Sequence, residues 1–178
     1  MKFLFAIVLG SFFLITATND EEKFQWDENR PLSWSDFQGR PDGPGDYVAS
    51  TNSGISLSYS IGKRNSSYTF EYTVNSNFYP KQSWYRPDSA SEYILKHEQT
   101  HFDISELHAR KLRKALAGLR VTSKVKDDAD QIYRQIEMER RDMQQTYDKD
   151  SDHSKIRDAE MQWRLVVASE LEKYEAWK

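Results

Sequence analysis

Leu95-Lys96-His97-Glu98-Gln99-Thr100-His101-Phe102-Asp103 is the stretch on which the reading of this chain turns. It sets two histidines four residues apart, with a glutamate directly after the first. On an α-helix that spacing means about 40° of rotation and about 6 Å of rise, so both imidazoles can reach one metal ion. Glu98 lies close enough to take a proton from a water beside such an ion, the general-base step of metal-assisted hydrolysis. The competing reading is a pair of core or surface histidines with ordinary hydrogen-bond partners.

The flanking sequence predicts a helix. Asp88 and Ser89 are good N-caps, Glu92 falls three residues after Ser89 as in a capping box, and no Gly or Pro intervenes before Gly118. With His97 at 0° and about 100° per residue, Ile94, His101, His108, Leu112, Leu116 and Leu119 share one sector. The two histidines of the motif therefore face the interior.

Composition narrows the class. Met1-Lys2, an apolar run from Phe3 to Ile15 and the polar Thr16-Ala17-Thr18-Asn19 have the layout of a secretory signal peptide, too short to span a bilayer. The expected division is a signal peptide over residues 1–18 and a single domain over residues 19–178, secreted or periplasmic, with no membrane association after cleavage. An uncleaved N-terminal anchor is the alternative. Loss of Lys2 takes the formal charge from −3 to −4, and acidic and basic residues are otherwise mixed, so nothing points to nucleic acid. The absence of cysteine excludes disulfides, thiolate zinc ligands and a cysteine nucleophile.

Before the motif the texture is β. Ile55, Leu57, Tyr59 and Ile61 alternate with serines, and Tyr68, Phe70, Tyr72 and Val74 alternate with polar residues, around a connection at Gly62-Lys63-Arg64-Asn65. An antiparallel sheet with one buried face follows. Upstream, Trp34 and Phe37 are expected to anchor the Gly- and Pro-rich loop 39–45 on the core. After Gly118, one helix begins near Asp127 with Ala129, Ile132, Ile136, Met143 and Tyr147 on its stripe. Asp148 to His153 reads as a polar break, and Ser154 as the cap of a last helix carrying Ile156, Trp163, Val167, Leu171 and Tyr174.

A catalytic zinc site takes three protein ligands and leaves a position for water. Asp103 and Glu106 lie about 140° and about 160° from the midline of the histidine pair, and His108 about 10 Å beyond His101, so the motif helix supplies two ligands only. Ile104 stands where a helix-breaking Gly would be needed to fold a third histidine back. His153, the one other imidazole among four, is the leading third ligand, with Asp148 and Asp152 as orienting partners. A glutamate from the following helix, Glu137 or Glu139, is the competing choice. Tyr147 is either a hydroxyl donor to the oxyanion of a tetrahedral intermediate or a core tyrosine.

Leu32-Ser33-Trp34-Ser35-Asp36-Phe37-Gln38-Gly39, Ser83-Trp84, the motif continuing through Ile104 into Glu106 and Ala109-Arg110-Lys111-Leu112, and Tyr147-Asp148 followed by His153 make the chain resemble the DUF922 family of bacterial proteins, described as secreted zinc-dependent proteases. The resemblance implies a zincin-like hydrolase with His97 and His101 as ligands, Glu98 as base and the Tyr-Asp-to-His segment contributing to the site, which favours His153 over a glutamate. Where the family pattern has Thr two residues before this histidine and Gly after it, this chain has Ser151 and Ser154.

The expectation is an α+β domain, zincin-like, with an N-terminal antiparallel sheet packed on three long helices. Its function would be that of a zinc metallopeptidase acting on protein or peptide substrates, with Zn2+ held by His97, His101 and His153, Glu98 as general base and Tyr147 as oxyanion donor. Two rivals are a non-catalytic zinc-stabilised exported binding protein using the Trp34 and Trp84 regions, and an exported interaction protein in which the motif is accidental. Oligomeric state is not legible.

Overall fold

The computed structural model describes residues 22–43 and 45–178, so the expected signal peptide lies outside the described residues. The architecture is α+β. The first sheet is β1 (Phe24–Gln25), β3 (Ser53–Arg64) and β4 (Ser67–Phe78) in the order β1-β4-β3, and β2 (Ala49–Ser50) pairs with β5 (Trp84–Tyr85) in a second. All pairings are antiparallel. Three α-helices follow: α1 (Glu92–Ala117), α2 (Val125–Ser151) and α3 (Arg157–Lys173).

The β3-β4 hairpin follows from the alternation. Leu57 pairs with Val74, Tyr59 with Tyr72 and Ile61 with Phe70, so the large apolar side chains share one face. The expected connection at Gly62 to Asn65 is shorter than anticipated: the strands run on to Arg64 and Ser67, and Asn65 turns the chain at φ 55, a conformation asparagine tolerates. Ile55 and Val74 pack with Ala109, Leu112 and Leu116 of α1 and Ala129 of α2. Tyr59 Oη donates to Asp130 Oδ1 at 2.8 Å and Tyr133 Oη to the Ile55 carbonyl at 3.1 Å, so α2 is fastened across the sheet edge.

The motif helix starts later than its composition suggested. Asp88 and Ser89 lie in a 3-10 turn, and the cap is Ser91, whose side chain accepts the Ile94 N–H at 3.3 Å. Its end at Gly118 is as expected. α1 proves to be the central element. No residue from His97 to Arg113 is exposed, because the sheet, α2, α3 and the N-terminal segment each cover part of it. Assigning one sector as inward therefore undercounted its buried positions.

Upstream, Trp34 stacks on Tyr85 at 4.7 Å and Phe37 meets Phe78 edge-on at 5.3 Å, so both anchor the loop as expected. At Gly39 the loop passes the Lys81 and Ser83 carbonyls so closely that a Cβ would stand 2.9 Å from each. The third core cluster, Ile104, Tyr147 and Val167 with Met143, Trp163 and Leu171, joins α1, α2 and α3. Ile156, expected on that stripe, is the N-cap of α3 and exposed.

Opposite the motif, Glu106 is buried against Arg110 Nε at 3.1 Å and Arg113 Nη1 at 2.9 Å. Arg110 Nη1 also donates to the Leu171 carbonyl, and Arg113 to those of Val74 and Trp177. Replacing Glu106 with Ala removes one of the two carboxylates paired with buried Arg110 and leaves its Nε without a partner, so urea denaturation should report a loss of about 1 to 3 kcal/mol. His108 is buried with Nδ1 2.8 Å from the Ile104 carbonyl, and burial pushes its pKa down from 6.5 to about 4. Below pH 6.5 the unfolded chain gains a proton that the folded chain refuses until about pH 4. Stability intact above that window should fall by about 3 kcal/mol across it, and a His108→Leu variant followed by thermal denaturation should lose that share of the pH dependence.

Candidate metal centre

His97 and His101 project from one face of α1 toward α2, where Asp148 stands in the last turn but one. The polar run after Tyr147 does not break α2 as expected. It contains neither Gly nor Pro, and the helix continues to Ser151, whose hydroxyl donates back to the Tyr147 carbonyl at 2.8 Å. Asp148 is thereby aimed at the histidine pair instead of lying in a loop.

Three donor atoms converge. His97 Nε2 and His101 Nε2 are 3.2 Å apart, and Asp148 Oδ1 lies 3.3 Å from the first and 3.0 Å from the second. Among the described residues His97, His101 and Asp148 form the group that could hold a metal ion. Donors about 2.0 to 2.2 Å from a tetrahedral ion stand about 3.3 to 3.6 Å from one another, so the observed triangle is near the right size.

The far side of each ring is tied down. His97 Nδ1 lies 3.0 Å from Glu160 Oε2 of α3, and His101 Nδ1 contacts Gln144 Oε1, whose amide in turn donates to the His101 carbonyl at 2.8 Å. A hydrogen on each Nδ1 leaves both Nε2 lone pairs free for the centre. Burial alone would lower the His97 pKa, but the carboxylates of Asp148 and Glu160 overcome it and hold the imidazolium up at about 9. Burial likewise opposes ionisation of Asp148, yet its contacts with His101 and His97 keep it well below the usual carboxylate range.

Glu98 is 3 % exposed and lines the same cleft, and its Oε2 has no hydrogen-bond partner among the described residues. A buried carboxylate oxygen left open at the edge of a cleft is costly and suits a group that exchanges protons with what enters. The cleft has a volume of about 840 Å³, walled by the Tyr47–Ser53 segment on one side and by α1 and α2 on the other.

The other expected site residues lie as follows. His153 is brought to the cleft by a turn in which Asp152, His153 and Ser154 take φ values of 45, 51 and 72, all left-handed. Its Nδ1 is 3.5 Å from Asp148 Oδ1 and its Nε2 3.3 Å from Tyr47 Oη, beside the group of three and outside it. Ser154 thus adopts the backbone that the glycine of the family pattern adopts freely. Glu137 is held by Arg140 and Arg141 and Glu139 accepts from Gln135, so neither competing glutamate reaches the centre.

Tyr147 requires a correction. It is fully buried, stacks on His97 at 4.7 Å and gives its hydroxyl to Glu160, a position beneath the histidines that does not fit donation to a substrate oxyanion. Asp148 in the donor triangle, together with Glu160, Gln144 and Tyr47, escaped the sequence reading. Glu160 had a signal, since it occupies the apolar stripe of α3 between Ile156 and Trp163, where a charge has to be paired.

No curated protein and no solved structure matches the chain. The sequence pattern of the family described as "Bacterial protein of unknown function (DUF922)" matches residues 35–154, which include the motif, the Tyr47–Ser53 wall, Asp148 and His153. With about two-thirds of its length matched, the chain belongs to the DUF922 family.

Proposed function

We propose that this protein is an exported zinc-dependent peptidase that hydrolyses peptide bonds of protein or peptide substrates. The observation that carries the reading is the unpartnered Oε2 of buried Glu98 beside a converged His97, His101 and Asp148, at the floor of an open cleft. Nitrogen and carboxylate donors in a nearly tetrahedral triangle suit zinc, and three protein donors leave a fourth position for water. Zinc bound there supplies Lewis acidity and makes water acidic enough to ionise near neutral pH.

The chain's residues do the rest. Asp148 balances the ion's charge, while Glu160 and Gln144 fix the tautomer and tilt of the two imidazoles. Glu98 takes a proton from water in the cleft, whose oxygen adds to the substrate carbonyl carbon as the C=O π pair moves to oxygen. As the C–N bond breaks, Glu98 passes the proton to the departing amine. Export rests on the apolar run Phe3–Ile15 and its polar flanks.

A structural zinc site would be closed by a fourth protein ligand and would give Glu98 no task, so the non-catalytic alternative is tested at that residue. After zinc-replete purification, wild type and Glu98→Gln should each carry about one equivalent of zinc by atomic emission, with casein or peptide-library cleavage reduced about 10² to 10⁴-fold in the variant. Equal turnover removes the mechanism. Glu160→Gln should weaken zinc binding about 10 to 100-fold in a chelator competition. Unchanged affinity would show that Glu160 does not support the site.

A further inference from the structure

The geometry points to His153 and Tyr47 as the pair of catalytic residues that receives the oxyanion of the substrate, His153 acting as a hydrogen-bond donor in the cleft and not as a metal ligand. The inference rests on the peptidase reading and assigns a role that reading leaves vacant once Tyr147 is placed beneath the histidines.

The two residues come from opposite walls. Tyr47 belongs to the segment leading into β2, and His153 to the turn after α2, 106 positions apart. Their rings meet edge to face at 4.8 Å, with Tyr47 Oη 3.3 Å from His153 Nε2. Both line the cleft, and the His153 side chain is 40 % exposed while His97 and His101 are nearly closed off. A metal ligand is ordinarily drawn in with its fellows. His153 stands apart, its nearer nitrogen 3.5 Å from Asp148 Oδ1.

Both contacts of the imidazole are long, so neither commits its hydrogen firmly. With the hydrogen on Nδ1, facing Asp148, the Tyr47 hydroxyl is the donor that turns from Nε2 to a substrate oxygen. With the hydrogen on Nε2, the ring N–H makes that turn and the hydroxyl assists. In either tautomer the pair offers at least one hydrogen beside the donor triangle, where the carbonyl oxygen gains charge as water adds.

Three neighbouring donors are occupied. Gln144 spends its amide and its carbonyl oxygen on His101, Arg140 is forked onto Glu137, and Thr51 Oγ1 donates to the Glu98 carbonyl. The backbone supports the assignment independently. Three consecutive left-handed residues without a glycine cost energy, and strain of this kind persists where it aims a side chain at a site.

The test compares zinc-loaded wild type, His153→Ala, Tyr47→Phe, the double variant and Glu98→Gln for zinc content, kcat and KM on casein-derived peptides. Circular dichroism confirms folding, and Tyr47→Phe carries the test should His153→Ala unfold. The expected result is one equivalent of zinc in every variant, kcat lowered about 10² to 10³-fold in His153→Ala and by a smaller factor in Tyr47→Phe, KM within a few-fold, and a double variant losing less than the product of the singles. Zinc lost from folded His153→Ala makes His153 a ligand and overturns the inference, as does wild-type kcat in zinc-loaded His153→Ala or Tyr47→Phe. An inactive wild type, or an active Glu98→Gln, fells the peptidase reading itself and the inference with it.

Discussion

From His97 to Arg113 the central helix has no exposed residue, yet the span contains three acids, two arginines and three histidines. A polar group buried without a partner costs on the order of 1 to 3 kcal/mol, and a charge costs more. Each of these side chains therefore has to recruit a neighbour, and the neighbours they recruit are the rest of the fold. Gln99 and Asp103 draw in the N-terminal segment through the Leu32 amide and the Trp26 indole. Ser105 meets Ser53 of β3, Arg110 and Arg113 hold the C-terminal turn, and His97 and His101 reach α3 and α2. Glu98 Oε2 breaks the pattern, which is why it identifies the site.

The convergence of two imidazoles and a carboxylate is held by charge as well as packing. With His97 protonated up to about pH 9, the centre places a positive charge between Asp148 and Glu160. A divalent ion held by this group would displace the His97 proton, so the charge of the pocket suits a cation. Tyr147 serves the same balance from below, stacked on His97 and donating to Glu160. Its role is to keep Glu160 oriented and dry.

How much of this could be read from the residues depends on whether the signal was local. The helix through His97-Glu98-Gln99-Thr100-His101, its stop at Gly118 and the alternating hairpin were legible, because periodicity of 3.6 or 2 residues expresses burial directly. Asp148 was misread, since Asp-Lys-Asp-Ser-Asp resembles a loop by composition while nothing in it stops a helix. Tyr47 carried no local signal, as its place in the cleft depends on how the chain before β2 crosses the mouth. Glu160 lay in view as a charge on an apolar stripe, but its partner was 63 residues away.

The separation of the centre's parts along the chain bears on when it comes into being. His97 and His101 emerge from the ribosome first, Asp148 about fifty residues later, and Glu160 later still. A nascent chain holding only the first two residues offers an ion two flexible imidazoles and little selectivity. The full set exists only after the last two helices have folded back onto α1, so the three donors could close on an ion only late, wherever the chain finishes folding.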